Sequence, residues 1–551
     1  MVRLDPSALD YTILAIYFVV VLGIGAVAKL TIKTDVDFFL SGRSLPAWIT
    51  GLAFVAANLG ALEILGMAAN GAQYGIATVH FYWIGAVPAM VFLGLVMMPF
   101  YYGAKVRSVP EYLRLRFNDA THALNAATFA IATVLIAGVN LFALALVINL
   151  MLGWSIEVAI LAAALIVLVY ITLGGLTSAI YNEVLQFFII LAALVPLTLV
   201  ALHDMGGWGG LQDRVRESSL GEAGLHAWEG MGIGSVTNPI DANWIGIVFG
   251  LGFVLSFGYW TTNFAEVQRA LSAKNLSAAR RTPLIGAYPK IFIPAVTIIP
   301  GLVALVTVPQ LGQSDDPALQ YNSAIPLLIA EYLPEGMLGI AITGLMAAFM
   351  AGVAANVTSF NTVFTYDLWQ SYVRRDRDSD YYLRVGRIAT IGGLAISVAT
   401  AFIAKGYSNI MNYVQLLFSY FNAPLFATFI IAMFWKRTTP WAGFWGLVAG
   451  FLGAFWTHQL YAWGTIDLGS ELSASFWQAI VAFIADAVVT VGVSLVTKPK
   501  PEEELQGLVW GLKREVEEDD SVAGDQAWFR SPWVLGIGAL VLVAILNVIF
   551  I

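Results

Sequence analysis

The sequence predicts an all-α membrane protein with about fourteen transmembrane helices, and its composition and charge distribution are the main reasons. Of its 551 residues, 59% are hydrophobic and 12% are charged, whereas soluble globular proteins carry about 25% charged residues. Residues 117–213 and 291–373 contain no lysine or arginine. A bilayer core needs about 20 apolar residues per helix, so each window is long enough for several spans. We therefore expect a multi-pass protein of the lipid bilayer.

The spans are placed on apolar windows that glycine, proline or charged clusters separate. In chain order they are 9–31, 46–70, 77–104, 122–152, 156–173, 175–203, 243–270, 282–309, 335–372, 384–404, 408–434, 439–463, 472–497 and 531–551. With the N-terminus outside, 23 of the 28 lysines and arginines fall in loops predicted to be cytoplasmic, as the positive-inside rule requires. We expect both termini outside the plasma membrane, an extracellular loop at 204–242 and a cytoplasmic linker at 498–530.

Composition also excludes several classes of function. The chain has no cysteine, so it forms no disulfide and no thiolate metal site. Its five histidines have no metal-ligand spacing, and the sequence has no HExxH or GxSxG motif. The net charge is −8 and no basic run exceeds two residues, which argues against a nucleic acid partner. We expect neither enzyme activity nor an enzyme cofactor.

Polar residues interrupt two of the predicted spans near mid-depth. In the second span, Asn58 and Glu63 flank Gly60 and several alanines, which allows the helix to break there. The seventh span is also interrupted by small residues, and the polar run 261–263 follows them. Two interrupted spans, five apart, are typical of an inverted-repeat transporter with its sites at the midplane. Backbone carbonyls freed by such a break suit a hard cation such as sodium.

Lys290 lies inside the eighth predicted span. It follows Arg281 by about 13 Å along a helix, at a rise of 1.5 Å per residue. This depth favours a buried role over snorkelling towards the cytoplasm. Glu63 is its candidate partner. Glu63 could instead bond substrate hydroxyls, bind a proton or cation, or hydrogen-bond a neighbouring helix.

Motifs spread in order over nearly the whole chain resemble those of the sodium:solute symporter family, and most closely its sodium/glucose and sodium/galactose cotransporters. They are DFFLSGRSLPAW (37–48), AAN (56–58), VPEYLRLRF (109–117), GGLTSAIYNEVLQ (174–186), QRALSAKN (268–275), NTVFTYDLW (361–369) and FWKRTTPWAGFWG (434–446). The resemblance implies sodium-driven uptake by alternating access. It also implies a leucine-transporter-like core of two five-helix inverted repeats at 46–203 and 243–434. An extra first helix (9–31) and peripheral helices (439–497 and 531–551) would surround this core.

By the same resemblance, the sodium site of the family falls on five positions of this chain. Backbone carbonyls of Ala56, Leu59 and Ala348 would be ligands, whereas Ala351 and Gly352 stand where the family has two adjacent hydroxyl residues. Both side-chain oxygens are therefore missing. Water or other carbonyls would have to complete the shell, and we expect weaker sodium binding.

The resemblance also implies a substrate site in the core. Tyr259 corresponds to the inner aromatic gate, and Lys290 and Gln415 correspond to sugar-bonding residues. Several other hydroxyl-binding positions carry different residues here, which changes recognition. The aromatic residues around Tyr82 would either stack on a sugar ring or belong to an interfacial belt. The predicted substrate-binding residues are Asn58, Glu63, Tyr82, Ser256, Tyr259, Trp260, Lys290 and Gln415.

These observations favour a secondary active transporter that imports a sugar or polyol by sodium symport, with sodium as its only metal. Glu183 falls on the cytoplasmic ion path of the family, and its carboxylate favours cation movement. The expected partners are a sugar-like solute, sodium and the bilayer. One alternative is a carboxylate or other small organic solute with Lys290 as counter-charge. Another is a proton-coupled or facilitative carrier in which Glu63 titrates.

Overall fold

Long helices form the structure, a computed structural model that describes residues 6–29, 41–104, 106, 108–313, 319–512 and 527–551. The first six are α1 (Ala8–Lys29), α2 (Ala47–Asn58), α3 (Leu62–Tyr74), α4 (Ile76–Tyr102), α5 (Asp119–Leu152) and α6 (Ile156–Asp204). The next four are α7 (Gly246–Thr262), α8 (Phe264–Leu271), α9 (Leu276–Thr307) and α10 (Met337–Val373). The last five are α11 (Ser379–Ala404), α12 (Ile410–Phe434), α13 (Ala442–Ala462), α14 (Glu471–Val496) and α15 (Pro532–Ile549).

The lengths and composition of these helices are those of a multi-pass membrane protein. Within the described ranges, ten helices are long and apolar enough to cross a bilayer, or twelve when each bent pair counts as one span. The number of fourteen spans remains a prediction. The spans placed at 156–173 and 175–203 both fall within α6, whose two apolar stretches are Ile156–Val169 and Leu176–Asp204.

The two interrupted spans break as the sequence predicts. Helices α2 and α3 meet at an angle of 59°, and α7 and α8 meet at 48°. At the first break Leu59 departs from helical geometry, with φ −71° and ψ 45°. At the second break Asn263 is extended, and its side chain accepts a hydrogen bond from Ala265 N at 2.9 Å. Small residues and an asparagine cap therefore end one helix and start the next.

The predicted loops lie outside the long helices. The segment 204–242 contains the short helix Gly207–Arg216, and Arg216 forms ion pairs with Asp213 at 2.9 Å and with Glu222 at 2.7 Å. Of the predicted linker 498–530, residues 513–526 lie outside the described residues.

The helices are arranged so that polar groups lie at the centre and apolar groups at the periphery. Helix α10 is buried along most of its length and packs against α5 and α6. The outer helices α1 and α15 instead expose large apolar side chains, among them Val19 and Val548. Exposed apolar surface of this kind is what lipid contact requires. The two breaks are therefore inside the protein, where irregular backbone is tolerated at membrane depth.

Candidate functional site

A small cavity lies beside the first helix break. Its volume is about 60 Å³, and all eight residues predicted to bind substrate line it. A water molecule requires roughly 10–15 Å³ of such space, so the cavity has room for a few waters, and a sugar would enter only if lining side chains moved apart. The other lining residues are Leu62, Met67, Phe81, Ala86, Leu255, Met411 and Phe418.

Lys290 and Glu63 form a buried ion pair in the cavity wall. Lys290 Nζ lies 2.8 Å from Glu63 Oε1, and the two side chains are 2% and 9% exposed. Lys290 also donates a hydrogen bond to Asn58 Oδ1. The buried role predicted for Lys290 is therefore confirmed, and snorkelling is not what the structure shows. Burying either charge alone would be costly, so each group stabilises the other.

Aromatic rings surround the ammonium group of Lys290. Its Nζ lies 4.9 Å from the centre of the Trp260 ring and 5.4 Å from that of Tyr82. Both distances are within the range of cation–π attraction. Tyr82 and its neighbour Trp83 are buried, and Trp83 Nε1 donates to Ile291 O at 3.1 Å. These two side chains therefore belong to the interior of the protein and not to an interfacial belt.

Tyr259 closes one side of the cavity. Its ring packs on Phe418 with 4.7 Å between centres. Asn58 Nδ2 donates to the Tyr259 hydroxyl at 2.8 Å, and that hydroxyl donates to Glu266 Oε1, also at 2.8 Å. A single phenol therefore joins the two broken helices. Its displacement would open the cavity towards α8.

Gln415 and Ser256 differ in their freedom to bind a solute. Gln415 Nε2 contacts Met411 Sδ at 3.3 Å, and its Oε1 has no hydrogen-bond partner among the residues described. That oxygen can accept a bond from a solute hydroxyl. The Ser256 hydroxyl already donates to Leu251 O at 2.8 Å within its own helix, which leaves only its lone pairs for a ligand.

The five predicted sodium-site positions lie at the first break and on α10, and the side chain of Asn140 lies between these two elements. Asn140 Oδ1 accepts a hydrogen bond from Ala61 N at 2.8 Å. A Cβ atom placed on either Gly60 or Gly352 would collide with the Asn140 carboxamide. The space between Gly60 and Gly352 therefore holds an amide from α5. Ala56, Leu59, Ala348, Ala351 and Gly352 are all buried.

Three polar side chains lie further along α10. The hydroxyls of Thr358 and Ser359 donate to carbonyls one turn back in the same helix, at 2.7 and 2.8 Å, and Ser359 Oγ also lies 3.1 Å from Gln268 Oε1 on α8. The amide of Asn356 donates to Gly352 O at 2.8 Å. The lone pairs of the two hydroxyl oxygens remain available to a cation.

Glu183 is paired with an arginine. Its two carboxylate oxygens accept from Arg269 Nε at 3.2 Å and from Arg269 Nη2 at 2.5 Å, and both side chains are fully buried. Arg269 also donates to Ala265 O at 2.7 Å. The predicted ion-path carboxylate is therefore engaged in this state, and a passing cation would have to compete with a guanidinium.

Sequence reasoning missed Asn140, Glu266 and Arg269. The sequence gives Glu266 no distinct signal and places Arg269 with the cytoplasmic cations, whereas the break at Asn263 turns the following helix into the interior. The signal that could have found Asn140 is its pairing in space with Gly60 and Gly352, which a single sequence does not reveal.

Comparisons with known proteins find sequence similarity over most of the chain. A model of the sodium:solute symporter family matches residues 38–450. Sodium/glucose cotransporter 1 of Oryctolagus cuniculus is 31% identical, over 96% of this chain and 85% of its own length. Human sodium/glucose cotransporter 4 is 30% identical, over 92% of this chain and 79% of its own length.

Solved structures show a shared fold. A Na+-coupled sialic acid symporter in a substrate-bound outward-open state matches with a TM-score of 0.73 at 18% identity, over 90% of this chain and 99% of that one. Mhp1, a nucleobase-cation-symport-1 family transporter, matches in a closed conformation with a TM-score of 0.51 at 12% identity, over 85% and 97% of the two chains.

Proposed function

Because the chain belongs to the sodium:solute symporter family, we propose that it imports a small polar solute, a sugar or polyol, by sodium symport with alternating access. Membership in this family makes the protein a membrane transporter and supports sodium-coupled solute transport. The observation that carries the proposed substrate is the cavity at the first break. There an ion pair, a free amide oxygen and several aromatic rings converge.

The chemistry of the cavity suits a neutral polyhydroxylated solute. Gln415 Oε1 is available to accept from a hydroxyl. The Lys290–Glu63 pair offers both a donor and an acceptor at one place. Tyr82, Trp260 and Tyr259 supply apolar ring faces for the C–H groups of a sugar. Sites that hydrogen-bond hydroxyls discriminate strongly against analogues that lack them.

The same ion pair argues against an anionic solute. A carboxylate would need a free counter-charge, and Lys290 is already neutralised by Glu63 at 2.8 Å. An incoming anion would have to displace Glu63 or leave it unpaired in a buried position, which is costly. The structure therefore favours a neutral solute over the organic acid alternative.

Two observations support sodium coupling with a sodium site at the first break: membership in the sodium:solute symporter family and the bend of the helix there. The 59° bend frees backbone carbonyls at mid-helix, and hard oxygen ligands are those that sodium prefers. The proposed topology has both termini outside the plasma membrane and two inverted repeats at 46–203 and 243–434. The paired bends of 59° and 48°, one in each repeat, support this arrangement.

Direct binding tests the proposed site. We expect the purified protein in sodium-containing buffer to bind tritiated galactose or glucose, and Gln415→Ala to weaken that binding about tenfold, as loss of one buried hydrogen bond to the ligand would do. Gln506→Ala is the matched control, since Gln506 is exposed in the linker. Equal affinity of wild type and Gln415→Ala would contradict the assigned site.

A further inference from the structure

The buried charges around the cavity do not balance. Three buried carboxylates, Glu63 on α3, Glu183 on α6 and Glu266 on α8, lie near the two breaks, together with two buried cations, Lys290 on α9 and Arg269 on α8. Glu63 pairs with Lys290 at 2.8 Å, and Glu183 pairs with Arg269 at 2.5 Å. Glu266 has no ion-pair partner in the described part of the chain. One more negative charge than positive charge is therefore buried if all five groups are ionised.

Glu266 occupies a position where an ionised carboxylate has little support. It is 2% exposed and lies in the first turn of α8, directly after the break. Its Oε1 accepts the hydroxyl of Tyr259, while Oε2 has no hydrogen-bond partner among the described residues. A single neutral donor does not compensate for the lost hydration of a carboxylate.

The groups that face Glu266 come from four helices. They are Tyr259 on α7, Arg269 on α8, Lys290 on α9 and Glu183 on α6. The two cations are each bound to another carboxylate, and Glu183 adds negative charge nearby. None of these neighbours neutralises Glu266 directly. A bound proton would do so.

We propose that Glu266 is a proton-binding site beneath Tyr259, and that the carrier moves this proton together with its solute. The inference rests on the proposed function as a symporter. The proton binds Oε2, forms an O–H bond there, and returns to water when the bond breaks on the other side of the membrane. No other atom is transferred.

A chain of hydrogen bonds connects this site to the solute cavity. Glu266 accepts from Tyr259, Tyr259 accepts from Asn58, and Asn58 accepts from Lys290, which pairs with Glu63. An ionised acceptor holds a phenol more strongly than a neutral one does. Protonation of Glu266 therefore loosens Tyr259, and loss of the proton tightens it, so the proton state is linked to closure of the cavity.

Infrared difference spectroscopy across pH tests the site without any solute. We expect the purified wild-type protein to show a protonated carboxyl C=O band at neutral pH that Glu266→Gln lacks. Gln keeps the shape of the side chain and its acceptor for Tyr259. Glu157→Gln is the control, because Glu157 is an exposed carboxylate paired with Lys405, and it should leave the band unchanged. Any band from the buried carboxyl of Asp486 persists in both variants. Identical bands in wild type and Glu266→Gln would overturn the proposal.

Proteoliposomes with a trapped pH-sensitive dye test the coupling. With an inward sodium gradient, addition of galactose should acidify wild-type vesicles, and in Glu266→Gln the number of protons taken up per labelled galactose should fall to zero. Galactose uptake by wild type without acidification would overturn the coupled proton. If wild type transports neither galactose nor glucose, the proposed substrate fails, and the infrared result still decides the role of Glu266.

Discussion

Lys290 Nζ lies 2.8 Å from Glu63 Oε1, and this pair joins α9 to the helix that begins after the first break. Lys290 also donates to Asn58, the last residue before the break. One side chain therefore holds both halves of the broken helix. The pair fixes the shape of the cavity and makes its wall electrically neutral.

The ion pair predicts a non-additive mutant cycle. Lys290→Ala leaves Glu63 buried and unpaired, which should destabilise the protein by about 3–5 kcal/mol. Glu63→Ala leaves Lys290 unpaired in the same way. The double variant Lys290→Ala/Glu63→Ala removes both charges, so its loss of stability should be smaller than the two single losses added together. Thermal unfolding in detergent measures the stability of all three variants. Losses in the double variant as large as the sum of the two single losses would contradict the pairing.

Tyr259→Phe should weaken the coupling of solute transport to the sodium gradient, while the affinity for the solute stays nearly unchanged. The ring still packs on Phe418, but two hydrogen bonds are lost, each worth about 1 kcal/mol. We expect faster solute efflux from preloaded vesicles and a smaller steady-state accumulation. Tyr420→Phe, on the same helix as Phe418 and partly exposed, is the control and should behave as wild type. Unchanged efflux in Tyr259→Phe would mean that its hydroxyl does not hold the cavity closed.

A side chain introduced at position 352 should collide with Asn140, and a second substitution at Asn140 should relieve the collision. Gly352→Ser alone should impair folding or uptake, because its Cβ would collide with the Asn140 carboxamide. The variant Asn140→Ala/Ala351→Ser/Gly352→Ser restores both hydroxyls and removes the amide. The sodium concentration for half-maximal uptake should then fall, roughly tenfold, since affinity follows the number of oxygen ligands. A triple variant with the sodium requirement of wild type would show that sodium binds elsewhere.

Asp486 is buried between α12 and α14 and accepts from Thr428 at 2.7 Å and from Thr490 at 3.0 Å. No cationic side chain pairs with it within the described ranges. Asp486→Asn keeps the shape and one acceptor, so we expect less than about 1.5 kcal/mol of destabilisation and near-normal uptake. Asp486→Lys should prevent folding, because the added charge would be buried. Strong loss of uptake in a well-folded Asp486→Asn protein would assign this carboxyl a role in transport.

The parts of the site that the sequence predicts are those where a residue does not fit the apolar span around it. Glu63 and Lys290 interrupt apolar spans, so their burial and pairing follow from the cost of unpaired charge in hydrocarbon. The alanines and Gly60 permit the first break because small residues allow a helix to be interrupted, and this too can be read from the neighbouring residues alone. These features need no knowledge of how the helices are arranged.

The parts that the sequence does not predict depend on which helices meet. Asn140 lies in an ordinary apolar helix, and only packing brings its amide between Gly60 and Gly352. Glu266 lies near the end of the span predicted at 243–270, and only the 48° bend carries it into the interior.

Uptake into sealed proteoliposomes tests the central claim most directly. Labelled galactose and glucose are offered under an inward sodium gradient, under an equimolar potassium gradient and under a pH gradient alone. We predict accumulation above equilibrium with sodium, little accumulation with potassium, and a loss of accumulation in Lys290→Ala. Accumulation of neither sugar under any gradient would contradict the account of the cavity as a sugar site. Equal accumulation with potassium and with sodium would contradict sodium symport.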